Sequence, residues 1–321
     1  MNYLYIKIVI IINCYIYSYT MNNKPCLECQ EKASPQKVST NQNFDIKFKA
    51  MKQCDKTSFV IIADYDETFT KKMIGKNRSR SSFGVIDQSS LISKEFHTNS
   101  ANLSAKYRKY ESDLTVDFET RDKIVKEWYM SDLQLMIDEK LNKLNVKSFI
   151  EEAINQGYFL FRNGIYKFFD LLEKYNLPLI LISAGIKGVI IGELKALLGN
   201  DRYQQLKAKK LLTIIANEFV YDYKDNIVDY GRPLIYSFNK SSFVTNKLVN
   251  DRKDINILFF GDNFNDIDAI SKMEYSNVLG IAFGNYPEKD IPKEYYEKYD
   301  AVVKEDGDLW FINDTIEKLY N

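Results

Sequence analysis

The chain has 321 residues, a length that suggests about two domains, and its 44 basic and 44 acidic side chains balance to zero net charge. That balance argues against a nucleic-acid polymer as partner, because no bulk charge favours one. The single histidine, His97, excludes a His-based triad or a multi-His zinc site, and the absence of cysteine after Cys54 leaves the rest of the chain without a thiol nucleophile or a disulfide framework.

Residues 1–20 (MNYLYIKIVIIINCYIYSYT) place Lys7 ahead of an apolar stretch that closes on Ser18 and Thr20. This loosely fits a signal peptide, and it is too short and too interrupted by Tyr and Asn for a membrane span. Met21 as the true start is the other reading. A cytoplasmic location is expected, with a secretory one as the alternative if the leader acts as a signal. Residues 21–57 are polar, with Pro25 and Pro35, and read as a linker or flexible arm. Within them Cys26 and Cys29 form a lone CxxC without the second pair that a zinc site needs. No long apolar segment follows residue 20, so the body is not expected to insert in a membrane.

An unbroken apolar run, Phe59–Ala63, then leads into Asp64, Asp66 and Thr68. Such a run reads as a strand buried on both faces of a parallel sheet. Ligands of open α/β sheets bind beyond the carboxyl ends of the strands, which puts Asp64 and Asp66 in a crevice. One carboxylate can attack phosphorus, and the other can protonate the leaving oxygen and later deprotonate water. Both also suit a hard cation such as Mg²⁺. Two solvated acids at a strand end remain the plain alternative. The basic run at 71–80, KKMIGKNRSR, either draws an anionic substrate or is a solvated loop, and charge runs usually are solvated.

Residues 87–157 are charged and helical in period. Leu91, Phe96, Leu103, Tyr107 and Tyr110 mark one helix. Ile124, Val125, Trp128, Leu133 and Met136 mark another, continued by Leu141, Leu144, Phe149 and Ile154. This segment reads as a helical cap inserted in a core made of 58–86 and 158–321. Helices are expected at 164–175, 186–198, 240–249, 264–273 and 309–319. Strands are expected at 178–183, 211–217, 255–261, 278–283 and 301–303, with short strands or a hairpin at 228–237. The alternation implies an α/β fold with a doubly wound parallel sheet.

DYDET after its apolar strand resembles the first motif of the haloacid-dehalogenase (HAD) superfamily of phosphohydrolases. LILISAG (179–185), the lone Lys of FNK (238–240) and ILFFGDNFNDIDAI (257–270) resemble the second, third and fourth, in order. The resemblance implies Asp64 as nucleophile and Asp66 as general acid and then base. Asp64, the Asp66 backbone and Asp262 would hold Mg²⁺, with Asp266 in support. Thr68, Ser183, Ala184, Gly185 and Lys240 would hold phosphate or brace the loop that does. Singly, Ser183 also suits a helix N-cap, Lys240 a surface position, and Asp262 and Asp266 a turn and a helix start.

Between the first two motifs, SSFGVID, KYESD, EWYMSD and FRNGIYKFFDLLEKYNLPLILISAGI are similar to the cytosolic 5′-nucleotidase III family, the pyrimidine and 7-methylguanosine 5′-nucleotidases. The comparison implies a base pocket of Phe83 and Tyr129, sandwiching the base, with Glu111 accepting from an exocyclic amine. It departs at Asp132, where relatives commonly have Ser. The implied substrate is a nucleoside 5′-monophosphate such as CMP, UMP or 7-methyl-GMP, handled by a monomer. A phosphoserine-phosphatase-like HAD enzyme is the alternative, and a non-catalytic nucleotide-binding protein a lesser one.

Overall fold

Phe59–Ala63 is fully buried and lies at the centre of the sheet, because alternate residues feed two different cores. Phe59, Ile61 and Ala63 pack into one apolar cluster, and Val60 and Ile62 into another on the opposite face. The same alternation divides Leu258 and Phe260 from Ile257 and Phe259. A strand with apolar layers on both sides cannot show polar alternation, which is why these runs are continuous.

The computed structural model describes residues 36–321, which form one unit. The strands are β1 (Val38–Thr40), β2 (Phe59–Ala63), β3 (Met73–Ile74), β4 (Asn77–Arg78), β5 (Leu179–Ile186), β6 (Leu212–Asn217), β7 (Phe219–Tyr221), β8 (Ile227–Tyr230), β9 (Asn256–Gly261), β10 (Asn277–Gly284) and β11 (Ala301–Lys304). The helices are α1 (Gln42–Lys52), α2 (Gly84–Asp87), α3 (Lys94–Tyr107), α4 (Phe118–Asp138), α5 (Lys143–Gln156), α6 (Ile165–Tyr175), α7 (Lys187–Leu198), α8 (Asn200–Ala208), α9 (Lys293–Lys298) and α10 (Trp310–Tyr320). The main sheet runs β1-β11-β10-β9-β2-β5-β6, parallel throughout except for β1. From β2 the chain winds outward through β5 and β6, then crosses back to β9 on the other side. Strand order therefore reverses at β2 and β9, where a ligand crevice is expected.

Several elements differ from the sequence expectation. The stretch read as a flexible arm is ordered structure from residue 36 onward. β1 pairs antiparallel with β11, and α1 is capped by the Asn41 side chain, which accepts from the Asn43 and Phe44 amides. Phe44 and Met51 of α1 are buried in the core, and Lys47 pairs with Asp300 at 2.8 Å. Their apolar spacing is helical, but the polar residues around it mask the signal. The leader and the CxxC lie outside the described residues. The helices expected at 240–249 and 264–273 are short 3₁₀ turns, Lys240–Ser242, Asn246–Val249 and Asp266–Ile270. β8 finds its partner upstream, in β7, and α8 and α9 carry no expectation.

Helices α2 to α5 are inserted between β2 and α6. Their apolar residues, among them Val85, Phe96, Val125, Met136 and Phe149, form a third cluster. Ile227 and Tyr230 of β8 and Val189 of α7 belong to the same cluster, and the Ile227 amide donates to the Leu141 carbonyl at 2.8 Å. The helical unit thus starts slightly before residue 87 and includes a hairpin from beyond 157. No helix among the described residues is long and apolar enough to cross a membrane.

Candidate active site

β2 delivers Asp64 to the crevice, where it is 6% exposed, and β9 delivers Asp262 beside it. Oxygens of Asp64, Asp262 and Asp266 lie within 4.8 Å of one another. Lys240 sits against two of these acids, its Nζ 2.6 Å from Asp64 Oδ1 and 2.8 Å from Asp266 Oδ1. The second Asp266 oxygen accepts from the Asp262 and Asn263 amides at 3.2 and 2.9 Å. Both Asp266 oxygens are therefore engaged, whereas the Asp262 carboxylate has no hydrogen-bond donor among the described residues.

The electrostatics follow from this packing. Burial pushes the Asp64 carboxyl up, Lys240 opposes that, and the Asp266 charge adds to it. Burial and the charges of Asp266, Glu67 and Asp64 raise Asp262 well above the usual carboxylate range. Burial alone would lower Lys240, but Asp266 and Asp64 outweigh it and keep the ammonium charged. Three carboxylates against one ammonium leave negative charge that a divalent cation would neutralise, and an all-oxygen donor set suits a hard one. The residues fit such an ion.

Asp66 accepts from the Ser82 amide at 2.7 Å and from its hydroxyl at 2.6 Å. Burial raises its pKa to about 6 although Ser82 pulls the other way. Thr68 is fully buried and its hydroxyl faces Asp64 Oδ2 at 3.5 Å, a weak contact at most. Ser183 is 1% exposed and accepts from the Gly185 amide at 3.0 Å. It is not a helix cap, because β5 continues through Gly185 and α7 starts at Lys187. The ladder to β6 is broken between Ile182 and Ile186, over Ser183, Ala184 and Gly185. A Cβ at Gly185 would come 1.9 Å from Ser82 Oγ and 2.9 Å from Asp66 Oδ2, so only glycine lets this strand approach the acid.

A cavity of about 540 Å³ joins these groups to Phe83, Glu111, Tyr129 and Asp132. Phe83 and Tyr129 meet edge to face, centroids 5.4 Å apart and planes at 88°. The two-sided sandwich expected of them does not match this arrangement, since stacking on both rings needs them parallel across a gap. Glu111 accepts from the Ser237 hydroxyl at 2.5 Å, and burial pushes its carboxyl up. Asp132 is 8% exposed and accepts no hydrogen bond among the described residues; burial, then repulsion from Asp87, raises its pKa. The basic run is not simply solvated, since Lys72 and Arg78 line the cavity and pair with Glu67 at 3.5 and 2.5 Å.

The sequence reading missed the residues that hold the loops. Arg162 is fully buried and donates to the Thr68 carbonyl at 2.8 Å, the Glu67 carbonyl at 2.5 Å and Asn285 Oδ1 at 2.8 Å. It also binds the Asp306 carboxylate at 3.0 Å and the Gly307 carbonyl. Asn217 spans the Ala184 and Ile235 carbonyls, each at 2.7 Å. Ser82 and Arg162 both lie inside quoted family-like segments, SSFGVID and FRNGIYKFF, which gave neither of them a role.

A parallel sheet whose reversal point gathers acids, a buried lysine and a serine has the HAD-like α/β architecture of phosphohydrolases. Solved structures agree at the level of fold. Cytosolic 5′-nucleotidase IIIB bound to cytidine superposes with a TM-score of 0.72 at 18% identity, covering 88% of this chain and 93% of that one. A substrate-bound phosphoserine phosphatase gives 0.50 at 16% identity, covering 79% and 96%.

The pyrimidine 5′-nucleotidase (UMPH-1) family model matches residues 67–320, and the chain belongs to that family. The 7-methylguanosine phosphate-specific 5′-nucleotidase of Gallus gallus is 23% identical over 271 residues, 83% of this chain and 89% of its own length. A Caenorhabditis elegans protein whose name assigns it to the cytosolic 5′-nucleotidases is 26% identical over 259 residues, covering 78% of this chain and 66% of its own length.

Proposed function

We propose that this chain is a Mg²⁺-dependent 5′-nucleotidase that hydrolyses nucleoside 5′-monophosphates, pyrimidine ones such as CMP and UMP and also 7-methyl-GMP, to nucleoside and phosphate. The carrying observation is the convergence of Asp64, Lys240, Asp262 and Asp266 at the carboxyl ends of β2 and β9. A cavity of about 540 Å³ falls within the usual ~300–1,000 Å³ of small-molecule sites and has room for a nucleotide, more than phosphoserine requires. A cytoplasmic location belongs to the same proposal.

In this mechanism Asp64 attacks phosphorus and forms an aspartyl-phosphate. Asp66, held by Ser82, gives its proton to the leaving oxygen of the ribose and later takes one from water; its pKa of about 6 suits both tasks. Lys240 orients the nucleophile and offsets charge on the phosphoryl oxygens. Ser183 and the unpaired strand segment that follows it hold those oxygens. Asp64, the Asp66 carbonyl and Asp262 would hold Mg²⁺, with Asp266 bracing Lys240 and the Asp262 turn. When bound, the cation supplies charge neutralisation between carboxylate and phosphate dianion. The nucleoside base stacks on one face of Phe83 or Tyr129, and Glu111 accepts from an exocyclic amine where the base has one, as in CMP.

The test is phosphate release from CMP, UMP and 7-methyl-GMP by purified protein with Mg²⁺. Asp64→Asn should lower the rate at least a thousandfold, as loss of a nucleophile does. No release from any of the three would reject the proposal. Phe83→Ala separates it from the phosphoserine-phosphatase alternative, because it should harm nucleotide hydrolysis far more than hydrolysis of a small generic phosphate ester.

A further inference from the structure

A second cavity, of about 200 Å³, lies between the start of α4 and the 3₁₀ turns that carry Lys240 and Asp266. Its walls include Arg121, Phe238, Lys240, Ser241, Asp268 and Ser271. Lys240 lines the first cavity as well.

Arg121 is the unusual member. It is 8% exposed and forms no ion pair among the described residues. Among the described residues its hydrogen bond is a marginal one, from the guanidinium to the Glu111 carbonyl at 3.5 Å, and its buried Nε has no acceptor. The other charges nearby are committed. Lys240 is divided between Asp64 and Asp266, Asp268 pairs with Lys298 at 2.9 Å, and Asp113 turns its carboxylate to Thr115. Phe238 and Phe118 hold the guanidinium by their faces, 5.1 and 6.0 Å from the ring centroids. Arginine is almost never buried unless paired, since a desolvated charge without a partner is costly. Here the missing partner has a cavity waiting for it.

We infer that this cavity is a second anion site, for a phosphate-class oxyanion, with Arg121 as the charged anchor and the hydroxyls of Ser241 and Ser271 as flanking donors. The guanidinium fork matches the paired oxygens of such an ion. The volume is below the ~300 Å³ at which drug-sized ligands begin to fit, so the occupant is small or a small part of something larger. Arg121 belongs to the inserted helices, whereas Ser241 and Ser271 belong to the sheet side. A bound anion therefore ties the two together across the seam beside Lys240. The same chemistry is offered by free phosphate and by the phosphoryl group of a second nucleotide.

Calorimetric titration of the full chain with inorganic phosphate, in EDTA so that nothing turns over, tests the site separately from the hydrolase proposal. Wild type should bind a phosphate that is lost or weakened at least about tenfold in Arg121→Gln, a loss of a charge-assisted hydrogen bond. Ser271 is exposed, so Ser271→Glu should fold normally and should repel the same phosphate even if Arg121→Gln does not fold. Anomalous diffraction from tungstate-soaked crystals should show an ion within hydrogen-bond reach of Arg121 in wild type and none there in the variants. No bound phosphate in wild type, or binding unchanged by both substitutions, would overturn the inference. Competition by CMP for the Arg121 ion would identify a nucleotide phosphoryl group as the natural occupant, and indifference to CMP would identify free phosphate.

Discussion

Arg162 shows how a single side chain can set a site it never enters. Its donors end on the Glu67 and Thr68 carbonyls, so it fixes the turn that follows Asp64 and Asp66. Asn285, held by the same guanidinium, donates to the Glu67 carbonyl at 2.8 Å from another strand end. A lysine carries a charge but no planar fork and cannot satisfy these acceptors together. Arg162→Lys should therefore lower kcat on CMP by roughly 10–100-fold with a smaller change in KM, the pattern of a misplaced nucleophile. Steady-state kinetics at saturating Mg²⁺ read the split, and a variant unchanged in kcat would show that the turn is positioned by other contacts. Asp64, Ser183, Lys240 and Asp262 were legible in the sequence because apolar strands point at three of them and the motif order at the fourth. The role of Arg162 was not, although it lies in the family-like FRNG segment, because its Thr68 partner is 94 residues away and nothing local distinguishes a buried arginine from an exposed one.

At the scale of elements, period and length decided what could be read. β2, β5, β9 and β10 are apolar over most of their length because they separate two cores, and their runs gave away the sheet. The 3₁₀ turns after Phe238 and Asn265 read as helices because their apolar residues recur at three and four, yet tertiary contacts hold them short. Lys240 and Asp266 are tied to each other across those turns, at 2.8 Å, which a longer helix at either place would not permit without moving the acid. The α1 segment failed in the other direction, its few apolar residues interleaved with Asn, Asp, Lys and Gln. The structure gives those few residues weight, since Met51 is fully buried against the main core. Met51→Ala should cost about 2–5 kcal/mol of stability, the usual range for a large core side chain cut to Ala. Urea unfolding monitored by fluorescence measures it, and a loss under ~0.5 kcal/mol, typical of surface changes, would return α1 to the status of a loosely attached arm.

For the whole molecule, the site is a place where folding opposes the ionisation of the acids and ion binding requires it. Asp64, Asp66 and Asp262 all have pKa values raised by burial, Asp66 to about 6 from an ordinary 3.8. A carboxyl with a folded-state pKa above its unfolded one favours the fold when protonated. That contribution is complete below pH 3.8 and is lost as pH rises through about 6 for Asp66, and through its own raised value for Asp262. Metal-free protein should therefore lose stability from these groups between weakly acid and neutral pH. A divalent cation takes the place of the protons, binds only the folded cluster, and stabilises by mass action, about 2.7 kcal/mol at a hundred times its dissociation constant. Because protons and cation compete for the same oxygens, the rise in Tm on adding Mg²⁺ should be small at pH 5 and larger at pH 7.5. Thermal melts at the two pH values, with Mg²⁺ and with EDTA, measure it directly. Asp262→Asn, which leaves Lys240 and its two carboxylate partners in place, should raise the Tm of the EDTA form at pH 7.5 and abolish most of the Mg²⁺ increment. Equal increments at both pH values, or an increment that survives Asp262→Asn, would place the cation somewhere other than among Asp64, Asp262 and Asp266.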